Sequence, residues 1–261
     1  MAEEMLTEFR QRIMALTGLD LGQYKPAQLT RRLNGAMLRH RAPDYRTYLA
    51  SLEQDPRLLR EFLDYLTINV SEFLRNPEKF QDLKERYLPP LLEGRGPFRA
   101  WSAGCSIGAE PYSLALILDE LGAARRSRIL ATDLDRGVLE RANAGIYPKD
   151  DLKNVSTERL ARYFVPEEQG YRVSPALKAI VEFRRHNLLQ DSFERDLDLI
   201  LCRNVVIYFT EEAKDTLFRR FAQSLRPGGL LFVGGTESIF RAREMGLKML
   251  APFFYRKEAA A

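Results

Sequence analysis

The sequence is short of the residues that build metal sites and disulfide frameworks: its 261 residues include two cysteines and two histidines. Cys105 and Cys202 stand far apart with no CxxC pair, which argues for a reducing compartment and against both a disulfide scaffold and a structural zinc. With only His40 and His186, a histidine metal site and a Ser-His-Asp triad are close to excluded. No stretch approaches the ~18 consecutive apolar residues that span a bilayer, so no membrane insertion is expected. The start, Met1-Ala2-Glu3-Glu4, is acidic and has no apolar signal-peptide core, which points to a cytoplasmic protein. Internal repeats are not evident either.

What is present is the composition of an ordinary globular chain, 45% apolar and 29% charged. At this length a main core with a smaller appended domain is expected. The net charge of +4 is unevenly spread, because Arg31, Arg32, Arg39 and Arg41 fall within eleven residues. Such a patch suits an acidic protein surface or a nucleic acid, and equally a solvated helix face.

Residues 1–88 read as a helical domain. Phe9, Ile13 and Leu16, and again Phe62, Leu63 and Leu66, recur at helical spacing. Asp55-Pro56 marks a helix start, with proline in the first turn. The stretch from Pro89-Pro90 to Gly94-Arg95-Gly96-Pro97 reads as a helix-breaking linker over 89–97. From 98 to 261 strands and helices alternate. Strands are expected over 98–102, 128–132, 180–183, 197–202 and 230–233, helices over 110–121, 136–144 and 211–225, and a last short strand in 252–257. This predicts an α/β fold with a doubly wound, mostly parallel sheet. Residues 146–178 break the alternation. Tyr163-Phe164-Val165 and Gly170-Tyr171-Arg172-Val173 alternate with period two around a polar turn, so an inserted antiparallel hairpin is expected.

The first strand runs into Ser102-Ala103-Gly104-Cys105-Ser106-Ile107-Gly108-Ala109-Glu110. A glycine turn between a first parallel strand and its helix admits a ligand close to the backbone. It lacks both the three-glycine and the Gly-Lys-Ser/Thr patterns of phosphate loops. Asp133 ends the second strand, where a carboxylate can accept from both ribose hydroxyls. Together they imply a ribose-bearing cofactor without separating NAD from S-adenosylmethionine. The fourth strand leads into Cys202-Arg203-Asn204-Val205-Val206-Ile207-Tyr208-Phe209. This segment has no Asn/Asp-Pro-Pro-aromatic tetrad, which counts against methylation of a base amine.

Five separated segments, in order, resemble the CheR family of chemotaxis-receptor methyltransferases, from about Arg10 to the end. Thr67-Ile68-Asn69-Val70-Ser71-Glu72-Phe73-Leu74-Arg75 resembles T-x-N-x-T/S-x-F-F-R, and Trp101 to Ser113 resembles W-S-A-G-C-S-x-G-E-E-P-Y-S. Ala131-Thr132-Asp133-Leu134-Asp135, His186-Asn187-Leu188, and Cys202 to Phe209 complete the set.

The resemblance implies a class I (Rossmann-like) methyltransferase domain with an N-terminal helical domain and a small inserted β-subdomain. It implies transfer of a methyl group from S-adenosylmethionine to receptor glutamate carboxylates, leaving S-adenosylhomocysteine. Asn69, Ser71 and Arg75 would cover the methionine end, with Glu110 beside it, near Gly104. Asp133 would hold the ribose, and Asn187, Leu188, Arg203 and Asn204 would line the adenosine and far wall. Arg75 and Tyr208 would be the catalytic residues, Tyr208 near the transferred methyl. Phe73 and Tyr112 read as packing residues. Arg31, Arg32, Arg39 and Arg41 would dock on the acidic helical bundle of the receptor. Leu74 replaces a usual phenylalanine, and Ala109 stands where the family often has glutamate. The turn Pro166–Gly170 is short, which predicts recognition independent of a receptor tail tether. A monomer suffices. The rival readings are a nucleic-acid methyltransferase, a non-catalytic receptor-binding adaptor and an NAD-dependent dehydrogenase.

Overall fold

Asp44 and Asp55 set the starts of two N-terminal helices, each accepting a backbone N–H of the first turn. Thr47 N–H donates to Asp44 Oδ1 at 2.8 Å and Arg57 N–H to Asp55 Oδ1 at 2.8 Å. The computed structural model of the chain describes residues 2–67, 71–94 and 96–259, which form two compact units. The smaller comprises Met1–Asn69 with Tyr208–Lys214. Its helices are α1 (Ala2–Thr17), α2 (Pro26–Arg39), α3 (Tyr45–Gln54) and α4 (Pro56–Thr67). They enclose a core of Phe9, Ile13, Leu33, Tyr48, Leu52, Phe62 and Leu66. Phe62 meets Phe9 and Tyr48 edge-on at centroid distances of 5.9 and 5.8 Å. Leu16 keeps the phase of Phe9 but lies in the last turn of α1 and is 44% exposed. Residues 208–214 join this unit through Lys25 N–H to the Tyr208 carbonyl, 2.9 Å, and Thr210 N–H to the Gln23 carbonyl, 2.8 Å.

The larger unit carries Val70–Ile207 and Asp215–Ala261. The units therefore part at residues 69 and 70 rather than in the Pro/Gly stretch at 89–97. The reason is burial: Phe73, Leu74, Phe80, Leu83, Leu88 and Leu91 all pack into the core of the larger unit. Pro89-Pro90 does not stop the helix here. The segment runs as α5 (Pro77–Asp82), a π-turn over Leu83–Tyr87 and α6 (Leu88–Leu92). The widened turn restarts the helix so that both prolines fall in a first turn, where their missing N–H leaves no gap.

The strands are β1 (Phe98–Ala103), β2 (Ser127–Asp133), β3 (Ile146–Tyr147), β4 (Phe164–Glu167), β5 (Gly170–Val173), β6 (Val181–Arg185), β7 (Leu197–Cys202), β8 (Leu225–Val233), β9 (Leu247–Ala251) and β10 (Phe254–Lys257). The seven-stranded sheet has the order β6-β2-β1-β7-β8-β10-β9, and β3-β5-β4 make a separate antiparallel sheet. The first five strands of that order are parallel, and β10 runs antiparallel to both of its neighbours. Helices α7 (Ala109–Glu120), α8 (Arg136–Ala144), α9 (Thr157–Tyr163), α10 (Pro175–Lys178) and α11 (Glu211–Ser224) complete the fold. Chain order moves outward from β1 to β2 and β6, then returns to β7 on the other side of β1. The β1/β7 junction is thus the switch point of the sheet, the place where open α/β sheets take their ligands, at the carboxyl ends of the strands. The strand β9 was not expected. Only its first residue, Leu247, is buried, and the exposed, charged Lys248 befits a sheet edge. The strand expected over 252–257 starts at Phe254, because Pro252-Phe253 form the turn and Phe253 has φ 78°.

Candidate active site

The carboxyl ends of β1, β2 and β7 carry Gly104, Asp133 and the Arg203-Asn204 pair. After β1 the backbone turns sharply: Gly104 and Cys105 both donate to the Thr132 carbonyl at 2.8 Å. Gly104 has φ 78°, and a Cβ there would lie 2.5 Å from Val205 Cγ2, so only glycine fits. This contact joins the turn after β1 to the loop after β7.

Asp133 ends β2 with its carboxylate fixed by backbone. Ser106 N–H donates to Oδ2 at 2.8 Å and Asp135 N–H to Oδ1 at 3.1 Å. Burial pushes its pKa up, against the lowering effect of these two bonds. A carboxylate has about four acceptor sites. The backbone bonds leave part of this capacity for the hydroxyls of a ribose. The residues thus fit the ribose of the expected cofactor.

Glu110, in the first turn of α7, accepts from Ser102 Oγ at 2.8 Å. Its other oxygen lies 3.7 Å from a guanidinium nitrogen of Arg203. Burial raises the Glu110 pKa, opposed first by Arg203 and then by the Ser102 bond. The Arg203 side chain is buried, 2% exposed. One guanidinium nitrogen donates to the Arg75 carbonyl at 2.8 Å and to Asn76 Oδ1 at 2.7 Å. The same group stacks over Phe232 and Phe80 at 4.5 and 5.2 Å.

Arg203 thereby holds the turn that carries Arg75. That turn is unusual, with Leu74 at φ 51° and Asn76 at φ 60°. Leu74 N–H donates to Ser113 Oγ at 2.8 Å, and Phe73 N–H to the Asp151 carbonyl at 3.0 Å. Phe73 and Tyr112 are buried packing residues, as expected. Leu74 is buried as well, so its replacement of phenylalanine is accommodated within the core. Ser71 is half-buried, while Asn69 lies outside the described residues.

His186, after β6, donates its backbone N–H to the Asp133 carbonyl at 2.9 Å, which sets Asn187 and Leu188 beside β2. Asn187 Oδ1 accepts from Leu189 N–H at 3.0 Å, and the Leu188 carbonyl accepts from Arg220 at 2.6 Å. The imidazole of His186 packs edge-on to Trp101 at 5.5 Å, and burial lowers its pKa. It is a half-buried packing group. Cys105 and Cys202 are buried thiols whose pKa burial drives well up. Among the described residues no group of three or more His, Cys, Asp and Glu side chains could hold a metal, and no helix is long and apolar enough to cross a membrane.

Asn204 follows β7 in the larger unit, and the other predicted residues belong to the helical unit. Tyr208 lies there, with the Arg32 guanidinium 5.5 Å from its ring centre. Arg32 also sits 5.7 Å from the Tyr65 ring and donates to the Tyr65 carbonyl. It is therefore buried, and the exposed basic set on and after α2 is Arg31, Arg39 and Arg41. Asn76 and Glu237 were missed by sequence reasoning. Asn76 could have been suspected, since a residue before proline is barred from ordinary helix and asparagine tolerates the left-handed region.

Two family models cover nearly the whole chain: the CheR methyltransferase all-alpha domain over residues 4–67 and the CheR methyltransferase SAM binding domain over residues 69–252. A chemotaxis protein methyltransferase of Listeria monocytogenes is 42% identical over 241 residues, 92% of each chain. That of Salmonella typhimurium is 36% identical over 261 residues, 96% of this chain and 89% of the relative. That of Escherichia coli K12 is 36% identical over 238 residues, 87% of this chain and 82% of the relative. With the glycine turn, the Asp133 carboxylate and the Glu110–Arg203 pair all inside the segment matched by the SAM binding model, the chain belongs to the CheR methyltransferase family.

Proposed function

We propose that the protein esterifies glutamate side chains of methyl-accepting chemotaxis receptors in the cytoplasm. What supports this reading is the backbone-fixed Asp133 carboxylate beside the glycine turn after β1, at the switch point of the sheet and within the segment matched by the SAM binding model. Bound S-adenosylmethionine supplies a sulfonium methyl group. A glutamate carboxylate is already ionised at neutral pH and needs no proton removed. The residues then have to bind, align and exclude water. In this reading Asp133 accepts from the ribose hydroxyls, and Asn69, Ser71 and Arg75 cover the methionine end. Glu110, kept at its place by Ser102 and Arg203, supports that end. By the family resemblance Arg75 and Tyr208 carry the catalytic roles.

Arg31, Arg39 and Arg41 are exposed and offer a basic surface to an acidic helical bundle. Between β4 and β5 only Glu168 and Gln169 intervene, which supports recognition independent of a receptor tail. A monomer is sufficient for all of this. The test is incubation with radiolabelled S-adenosylmethionine and a cytoplasmic receptor fragment, followed by alkali. Label released as methanol is expected, and base-stable label would overturn the glutamate reading.

A further inference from the structure

The loop after β7 owes its shape to a residue far away in sequence. Asn204 is left-handed, with φ 60°, a conformation that residues other than glycine rarely adopt. Its backbone N–H, that of Val206 and that of Gly234 converge on the Glu237 carboxylate. Asn204 and Gly234 donate to Oε2 at 2.7 Å each, and Val206 donates to Oε1 at 2.9 Å. Successive N–H groups around a left-handed residue form a concavity that takes an anion. Here the anion is the protein's own side chain, 3% exposed. Burial raises its pKa, and the converging N–H groups pull it back. The turn that returns the carboxylate is closed by Glu237 N–H to the Gly234 carbonyl at 3.1 Å. A Cβ on Gly234 would lie 2.4 Å from Glu237 Oε2, so glycine is needed there to admit the carboxylate.

The clamped loop carries two contacts of the site. Val205, between the clamped N–H groups, sits over Gly104 in the turn after β1. Arg203, just before them, reaches the Arg75 carbonyl, Asn76 and Glu110. We propose that Glu237 is a positioning residue for cofactor binding: by filling the N–H concavity of residues 204–206 it sets Val205 against the glycine turn and Arg203 under Arg75. It acts through these neighbours. The inference rests on the S-adenosylmethionine reading of the site and is independent of which group accepts the methyl.

Calorimetry with S-adenosylhomocysteine on the wild-type chain and on Glu237→Gln tests it. The glutamine amide turns a donor toward a donor, and loss of one such bond to a charged acceptor corresponds to about 10-fold or more in Kd. KM for S-adenosylmethionine should rise more than kcat falls. Combined with Arg203→Lys, the loss should be smaller than the product of the two single losses, because both act on one loop. Glu237→Asp keeps the charge but withdraws it by one methylene. It should fall between wild type and Glu237→Gln, and it carries the test if Glu237→Gln fails to fold. Unchanged affinity in a folded Glu237 variant, or independent multiplication with Arg203→Lys, overturns the proposal while leaving the cofactor reading intact. A wild-type chain that does not bind S-adenosylhomocysteine overturns both.

Discussion

Replacing Arg203 with methionine keeps most of the side-chain volume stacked on Phe80 and Phe232 while removing the guanidinium. Two bonds disappear, those to the Arg75 carbonyl and Asn76 Oδ1, both to acceptors of a half-buried turn. A bond involving a charged donor contributes ~1.5–3 kcal/mol, which gives roughly 3–6 kcal/mol for the pair. Better apolar packing by the methionine offsets part of this, leaving a loss of about 3 kcal/mol. For a chain of this size that corresponds to a fall of roughly 6–12 °C in Tm. The loss should also depend on pH. Burial already raises the Glu110 pKa in the folded protein, and Arg203 is the main group opposing the rise. Without Arg203 the folded pKa climbs further. A raised folded pKa gives stability that is full below the unfolded value of about 4.5 and lost as pH rises through the folded one. The deficit of Arg203→Met against wild type should therefore be largest at neutral pH and shrink on acidification through the Glu110 transition. Thermal unfolding followed by circular dichroism from neutral to mildly acidic pH measures it. A Tm within about 2 °C of wild type at neutral pH, or a deficit that grows in acid, would refute the reasoning.

Asp133→Asn should weaken S-adenosylhomocysteine binding by about 10–100-fold, the cost of one or two bonds to a charged acceptor. Wild-type affinity should fall on acidification from above the ordinary carboxylate value of 3.8, since burial raises the Asp133 pKa, and calorimetry across pH should find that limb absent from the variant. Gly104→Ala forces a side chain into a left-handed position and against Val205, and urea denaturation should show a loss of roughly 2–4 kcal/mol. Charge reversal at Arg31 and Arg39 should raise KM for a receptor fragment by about 10-fold with little change in kcat, and high salt should shrink the effect. An isolated receptor tail peptide should show no saturable binding in fluorescence titration.

The parallel sheet was legible because its strands are short apolar runs separated by amphipathic helices. The strand over 197–202 and the helix over 136–144 fall where the periodicity sets them. Gly104, Glu110 and Asp133 were legible for a related reason: local sequence fixes which strand each residue ends and which helix it opens. Glu237 was not, and Arg203 was named only through the family resemblance. Arg203 reads as a polar residue at a strand end, and its burial depends on a turn 127 residues earlier, at Asn76. An acid in Gly-Gly-Thr-Glu-Ser reads as a solvated turn, and only tertiary return of that turn to residues 204–206 buries it. Arg32 shows the same limit on a helix. Its neighbour Arg31 is exposed, while the Tyr65 carbonyl and two aromatic rings draw Arg32 inward. Asn76 and the π-turn at Leu83–Tyr87 are local, yet they are seen only once the prolines that follow them are placed in helix starts.

The helical unit is discontinuous, completed by Tyr208–Lys214. On a ribosome its four helices emerge first, but the segment that supplies Tyr208 and Phe209 follows only after about 140 further residues. At ~5–20 residues per second this delay is roughly 7–28 s. During that time the edge-on contact between the Tyr24 and Phe209 rings, 5.3 Å in the finished fold, is not yet made. Cutting the gene at residue 69 therefore yields neither half intact. The first piece lacks its closing segment, and the second carries Tyr208 and Phe209 without the helices that shelter them. Shuffling this unit between relatives would require exchanging both stretches together.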